Sequence, residues 1–237
     1  MNLILLTAQD LTAAGRAVLR DARADHIRNV LGARPGDSLR VGMVDGLMGL
    51  AQLETVDASA VTLRLGTLDL APPPKLPLLL VMALPRPKML RRVLRTVAEL
   101  GVPELVLLNS WKVDKSYWQT PELTEPRRQR HLLEGLSQSR DTAMPRIRLE
   151  KRFKPFVEDA LPGLIRHRQA LLADAGATAP CPVSLNSPTA LAIGPEGGFT
   201  AYETARLQAA GFVSASLGPR ILRVDTVLPT LIGRLFT

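Results

Sequence analysis

Cysteine and histidine are scarce in this chain of 237 residues. Its single cysteine, Cys181, excludes an internal disulfide bond. The three histidines, His26, His131 and His167, lie too far apart in the sequence to form a recognisable metal-binding motif. We therefore expect no metal site.

Long apolar runs are also missing. The first ten residues, MNLILLTAQD, contain a short apolar run with no basic residue ahead of it and no small-residue cleavage site, so we expect no signal peptide. No later apolar run is long enough to span a bilayer. With 46% hydrophobic and 22% charged residues, the composition is typical of a soluble globular protein. We expect a cytoplasmic protein with no membrane partner.

Positive charge is in excess. A formal net charge of +8 and an isoelectric point near 10.3 favour a polyanionic partner, although a basic surface can also be inert. Basic residues cluster in LPRPKMLRRVLRTVAEL, where no acid occurs before Glu99. Helical spacing places Leu90, Val93 and Leu94 on a buried stripe and leaves a basic face. The residues expected to bind the partner from this helix are Arg86, Lys88, Arg91 and Arg92.

A second basic segment, NSWKVDKSYWQT, mixes aromatic residues with Lys112 and Lys115. Such a mixture can stack on unpaired nucleobases and contact phosphates. The alternative is simple packing, in which Trp111 follows the preceding apolar run into the core.

The first 70 residues show the pattern of a small β domain. Apolar residues alternate at Leu39, Val41 and Met43, and the Asp45-Gly46 pair that follows predicts a hairpin turn. An earlier segment, RADHIRNVLGARPGD, predicts a short helix that ends near Gly32. The proline-rich stretch APPPKLP at 71–77 predicts a linker, because consecutive prolines suit neither a helix interior nor a central strand.

After the linker, residues 78–237 alternate short apolar runs with helical segments. This order predicts an α/β domain with a mostly parallel sheet covered on both faces.

The segment LAIGPEGGFT, residues 191–200, predicts a strand followed by a glycine turn. Thr200 and Glu203 have the spacing of a capping box, so a helix should begin directly after the turn. The segment lacks both the dinucleotide-binding and the phosphate-loop fingerprints. The glycines either allow a ligand to approach the backbone or only supply positive φ angles for a tight turn.

A second segment, ASLGPRILRVDT, repeats the order of apolar strand and Gly-Pro turn. Two neighbouring turns of this kind would form a backbone-lined slot suited to an adenine and a ribose, since ligands bind beyond the carboxyl ends of parallel strands. If Thr226 is the N-cap of the last helix, Pro229 falls in its first turn. Arg223 and Asp225 would then lie at the mouth of the slot.

These segments occur in the same order as in one known family. Together with VAELGV, HIRNVLGARPGD and GLSQSRDTAMPRI, they resemble the RsmE family from about His26 to the C-terminus. Members of that family are SPOUT-class methyltransferases, which form N3-methyluridine in small-subunit ribosomal RNA. The resemblance implies an α/β protein with an N-terminal PUA-like β-barrel domain and a C-terminal SPOUT-type domain tied in a trefoil knot. It also implies a homodimer that binds S-adenosylmethionine and acts on small-subunit ribosomal RNA or the assembled subunit.

The reaction that the resemblance implies suggests catalytic residues, and the matching loops indicate the cofactor-binding residues. Arg223 is expected to contact the uracil carbonyls, with Arg140 as a second cation, and either Asp225 or Glu196 to remove the N3 proton. Purely structural alternatives are a capping role for Glu196 and a salt bridge between Arg223 and Asp225. The expected cofactor-binding residues are Leu172, Ala173, Ile193, Gly194, Pro195, Glu196, Gly197, Gly198, Leu217, Gly218, Ile221 and Leu222.

Two positions depart from the family pattern. Asp225 stands where a Glu is usual, which keeps the charge but shortens its reach, and Ser137 also replaces a usual Glu. Two other functions therefore stay open. One is a knotted methyltransferase that modifies ribose 2′-oxygens or transfer RNA, and the other is a non-catalytic RNA-binding or assembly protein.

Overall fold

The structure, a computed structural model, describes residues 1–12 and 15–236. The chain divides into two compact units. The first contains Met1–Pro74 and Leu133–Met144, and the second contains Lys75–Leu132 and Pro145–Thr237. Ala13, Ala14 and Thr237, which fall within the predicted domains 1–70 and 78–237, lie outside the described residues.

The first unit is built on a six-stranded sheet with the order β1-β4-β5-β6-β3-β2. Strand β1 pairs in parallel with β4, and the other neighbours are antiparallel. Its elements are β1 (Ile4–Leu6), a 3₁₀ turn (Ala8–Asp10), β2 (Leu11–Thr12), β3 (Arg16–Leu19), α1 (Ala22–Asn29), β4 (Ser38–Met43), β5 (Met48–Val56) and β6 (Val61–Leu70).

The predicted hairpin is confirmed, because β4 and β5 are antiparallel neighbours on either side of Asp45, whose φ is +58°. Val41 is fully buried, and Leu39 and Met43 pack against the core of this unit. The predicted short helix is present as α1. It ends at Asn29, three residues before Gly32, which adopts a φ of +59°.

The second unit alternates strands and helices. Its elements are β7 (Leu78–Ala83), α2 (Pro87–Glu99), β8 (Glu104–Leu108), 3₁₀ turns (Lys115–Gln119 and Pro121–Leu123), α3 (Glu125–Ser139, whose last residues belong to the first unit), β9 (Arg146–Glu150), α4 (Phe153–Pro155), a π-helical turn (Phe156–Ala160), α5 (Leu161–Ile165), β10 (Gln169–Ala173), β11 (Thr189–Ile193), α6 (Ala201–Ala209), β12 (Val213–Ala215) and α7 (Val224–Phe236).

The sheet of this unit has six strands in the order β12-β10-β11-β7-β8-β9, and every neighbouring pair is parallel. All six residues of β7 are buried. Successive side chains of a strand point to opposite faces, so both faces of the sheet are covered, as the sequence pattern predicted. The loops after β7, β8, β10 and β11 therefore leave the same edge of one sheet. This edge carries the candidate site.

Helix α2 follows β7 and has the predicted buried stripe. Met89, Leu90, Val93, Leu94 and Val97 are buried, whereas its basic residues remain at least partly exposed. Pro87 occupies its first turn, where the missing N–H leaves no hydrogen bond unmade. Within the described residues, no helix is both long enough and apolar enough to cross a membrane.

Candidate active site

A cavity of about 670 Å³ opens at the carboxyl edge of the parallel sheet. Its walls come from the ends of β10 and β11 and from the loops before α6 and α7. It brings together every residue that the sequence assigned to cofactor binding: Leu172, Ala173, Ile193, Gly194, Pro195, Glu196, Gly197, Gly198, Leu217, Gly218, Ile221 and Leu222.

The glycine turn after β11 is packed so closely against Phe199 that it leaves little space for a side chain on Gly194. A Cβ atom on Gly194 would lie 3.0 Å from the backbone nitrogen of Phe199 and 3.1 Å from its ring. Gly198 has a φ of +69° and donates a hydrogen bond to the carbonyl of Pro195. Glycine is thus required here by the turn itself, which exposes backbone to the cavity.

Helix α6 starts with the predicted capping box. The Thr200 hydroxyl accepts a hydrogen bond from the Glu203 amide, and the Glu203 carboxylate accepts one from the Thr200 amide. Glu203 is buried, and its other carboxylate oxygen accepts a hydrogen bond of 2.7 Å from the amide of Trp111. No pattern in the sequence indicated this second contact, which connects the loop after β8 to α6.

The loop before α7 differs from the prediction. Helix α7 begins at Val224 rather than after Thr226, because the Arg223 carbonyl accepts hydrogen bonds from both Thr226 and Val227. Pro229 consequently lies inside the helix and not in its first turn. Gly218 adopts a φ of +115°, which a residue with a side chain rarely adopts.

The predicted catalytic residues occupy different places. Arg223 and Glu196 line the cavity, whereas Asp225 is not among the lining residues. Asp225 accepts a hydrogen bond of 2.9 Å from Arg92, so Arg92 takes the place of Arg223 as its salt-bridge partner. The other oxygen of Asp225, Oδ1, is buried and has no hydrogen-bond partner within the described residues.

Glu196 is also ion-paired. Its carboxylate lies 2.7 Å from the guanidinium of Arg86, and both side chains are about half exposed. Two cations predicted to bind RNA therefore contact the two candidate carboxylates.

The remaining predicted RNA-binding residues are exposed: Lys88, Arg91, Lys112 and Lys115. The ammonium of Lys112 donates a hydrogen bond of 2.6 Å to the carbonyl of Gly197 in the cavity wall. Trp111 is 85% exposed, so its interpretation as a core residue was wrong.

Two predicted features belong to the first unit. Arg140 follows α3 with a φ of +59° and is not among the residues that line the cavity. Ser137 is buried and donates a hydrogen bond to the Leu3 carbonyl, which gives it a structural role.

No cluster of three or more potential metal ligands occurs among residues 1–12 and 15–236.

The sequence places the chain in the class of RNA methyltransferases. A family described as RNA methyltransferase domain matches residues 72–235, which is most of the chain, and the chain belongs to this family. It is 28% identical over 236 residues to ribosomal RNA small subunit methyltransferase E of Treponema pallidum, covering 95% of this chain and 87% of the relative. It is 29% identical over 243 residues to the protein of the same name from Synechocystis, covering 96% and 74%.

Solved structures share the fold along nearly the whole chain. A probable rRNA-methyltransferase from Porphyromonas gingivalis superposes with a TM-score of 0.72 at 24% identity, covering 97% of this chain and 94% of that chain. Ribosomal RNA small subunit methyltransferase E from Neisseria gonorrhoeae, bound to S-adenosyl methionine, superposes with a TM-score of 0.73 at 20% identity, covering 98% and 95%.

Proposed function

We propose that this protein uses S-adenosylmethionine to methylate N3 of a uridine in small-subunit ribosomal RNA. The observation that carries the proposal is the single cavity formed by the two Gly-Pro turns and the end of β10. Membership of the RNA methyltransferase family and relatives named small subunit methyltransferase E support this substrate class.

The cavity fits such a cofactor. Its volume of about 670 Å³ lies within the usual range of ligand pockets. Leu172, Ile193 and Leu217 supply apolar surface for a flat adenine, and the glycine turns bring backbone amides and carbonyls close to it. When bound, S-adenosylmethionine would supply the methyl group from its sulfonium. The bond between sulfur and the methyl carbon would break as the bond to N3 forms, which leaves the sulfur as a neutral thioether.

The protein must orient the uracil, remove the N3 proton and stabilise the negative charge that this leaves on the ring. Arg223 lines the cavity and supplies a cation for the uracil carbonyls. Glu196 lines the same cavity, where it is paired with Arg86, and accepts the N3 proton. Asp225 does not line the cavity and connects the first turn of α7 to Arg92. Arg140 provides a second cation from the partner protomer of a homodimer.

The finer architecture belongs to the same proposal. Residues 1–70 form a PUA-like β-barrel that binds RNA, 71–77 form the linker, and 78–237 form a SPOUT-type domain tied in a trefoil knot. The six-stranded sheets of both units and the full-length fold similarity support this arrangement. The protein acts in the cytoplasm, where its substrate is made.

Substitution of Arg223 tests the site. Arg223→Ala should keep the affinity for S-adenosylmethionine, measured by calorimetry, and should lower methyl transfer by roughly 10²- to 10³-fold because a charge-stabilising donor is lost. Arg220→Ala is the matched control, since Arg220 also lines the cavity but has no assigned role. If Arg223→Ala turns over near the wild-type rate, or if only Arg220→Ala loses transfer, the assignment is wrong.

A further inference from the structure

Trp111 leaves its large apolar ring in solvent. The residue is 85% exposed and lies in the loop after β8, at the same sheet edge as the cavity. Its ring therefore contributes little to the core, and exposed tryptophans that are held in place often mark binding surfaces.

The backbone beneath this ring is fixed. The Trp111 amide donates to the buried carboxylate of Glu203, which also caps α6. Val113, two residues later, is buried, and its amide donates to the carbonyl of Ser110. A ring presented on an ordered loop loses less conformational entropy on binding than one on a disordered loop.

Two exposed lysines follow Trp111 in the same segment, and one of them contacts the cavity wall. Lys112 donates to the carbonyl of Gly197, which lines the cavity. An ammonium has three donors, so this contact leaves Lys112 able to bind a phosphate as well. Lys115 is exposed at the start of the following 3₁₀ turn.

We propose that Trp111 is a stacking residue for an unpaired RNA base next to the methylated uridine, with Lys112 and Lys115 on the flanking phosphates. An exposed flat ring with exposed lysines in the same segment matches the π face and the phosphate charge of single-stranded RNA. The excess of positive charge over the whole chain, +8, agrees with this partner. The inference rests on the proposed function for the identity of the substrate.

Fluorescence tests the stacking directly. The chain has two tryptophans, so Trp118→Phe leaves Trp111 as the only one. A single-stranded oligouridylate should quench the emission of this variant, and polyphosphate, which has charge but no bases, should not. In the wild type, Trp111→Phe should abolish the quenching, which checks the result if Trp118→Phe folds poorly. Equal quenching by both polyanions, or none by either, overturns the proposal.

Affinity provides the second test. Trp111→Ala should weaken oligouridylate binding by roughly 5- to 150-fold, the usual range for loss of one base–aromatic stack, while Trp111→Phe keeps most of the affinity. Affinity for S-adenosylmethionine should not change. Val213→Ala is the matched control, because Val213 is 61% exposed in β12 at the other end of the sheet order. Equal effects of Trp111→Ala and Val213→Ala, or a change of oligomeric state instead of RNA affinity, overturn the proposal.

Different results would contradict the proposed methyltransferase function and the proposed stacking role of Trp111. If the wild type makes no N3-methyluridine but oligouridylate still quenches Trp111, the proposed function is wrong and the stacking surface stands. If the wild type is active and Trp111→Ala keeps the wild-type KM for RNA, the stacking surface is wrong.

Discussion

Arg92 in α2 donates a hydrogen bond of 2.9 Å to Asp225 in the first turn of α7. A second ion pair joins Arg86, directly before α2, to Glu196 in the glycine turn. Together the two pairs connect the N-terminal half of α2 to the glycine turn and to the first turn of α7. The basic face of α2 therefore supports the site as well as supplying positive charge.

Neutral substitutions of Glu196 and of Asp225 should lower the rate of methyl transfer by different amounts. Glu196→Gln should lower kcat by roughly 10²- to 10⁴-fold, the usual contribution of a general base. Asp225→Asn should have a smaller effect on kcat because Asp225 does not line the cavity. Single-turnover methyl transfer measures both, and the reverse order would make Asp225 the proton acceptor.

The glycine turn offers a steric test. Gly194→Ala places a Cβ atom 3.0 Å from the Phe199 nitrogen, so the turn must shift and cofactor affinity should fall. Gly163→Ala in α5 is the control, since a Cβ there meets no atom within 4 Å and should stabilise the helix by about 0.5–1 kcal/mol. Calorimetry with S-adenosylmethionine compares the two, and an unchanged dissociation constant for Gly194→Ala would remove the turn from the cofactor site.

Local patterns in the sequence predicted much of the second unit. The apolar stripe of α2 and the capping box at Thr200 each depend on residues within a few positions of one another, where spacing reflects geometry. The parallel sheet was predicted from short apolar runs that alternate with helical segments along the chain. The start of α7 was missed because the turn depends on hydrogen bonds accepted by the Arg223 carbonyl, which side-chain types do not encode.

Contacts between distant positions have no such signature. Arg92 and Asp225 are 133 positions apart, and Trp111 and Glu203 are 92 apart. Likewise, no local pattern shows that Leu133–Met144 returns to the first unit, where Ser137 bonds to Leu3. These relationships exist only once the fold has brought the segments together.

Salt dependence tests the basic face of α2. Each phosphate contact to single-stranded RNA contributes about 0.7 to the slope of log affinity against log salt. Replacing both Lys88 and Arg91 with Gln should therefore reduce the slope by about 1.4. Arg166→Gln is the control, because Arg166 is exposed beyond α5 and is not assigned to RNA binding. If the double variant and the control give the same slope, α2 does not contact the RNA.

An ion-pair network stabilises the first unit. Arg23 contacts Asp10 at 2.6 Å and Asp21 at 2.7 Å, and the side chains of Arg23 and Asp10 are 20% and 10% exposed. Arg23→Gln should lower the free energy of unfolding by about 2–3 kcal/mol, because it leaves a mostly buried carboxylate without its partner. Arg28→Gln, which removes the partner of an Asp25 carboxylate that is 66% exposed in α1, should cost less than about 1 kcal/mol. Equal losses in chemical denaturation would contradict this difference.

The same network predicts a pH dependence. Burial alone would raise the pKa of Asp10, but hydrogen bonds from Arg23 and Thr7 outweigh it and hold the pKa below the ordinary 3.8. The hydrogen bond from Arg23 also lowers the pKa of Asp21. A carboxyl with a lowered pKa contributes its full stability above the ordinary value and loses it as the pH falls through the lowered value. The wild type should therefore lose stability below about pH 4, and Arg23→Gln should show a weaker dependence over the same range.

Nucleoside mass spectrometry tests the central claim most directly. Purified protein and S-adenosylmethionine are incubated with unmethylated small ribosomal subunits and, separately, with transfer RNA. We expect N3-methyluridine from the small subunits and no methylated product from transfer RNA. A ribose-methylated nucleoside, methylation of transfer RNA instead, or no product despite cofactor binding would contradict the proposed function.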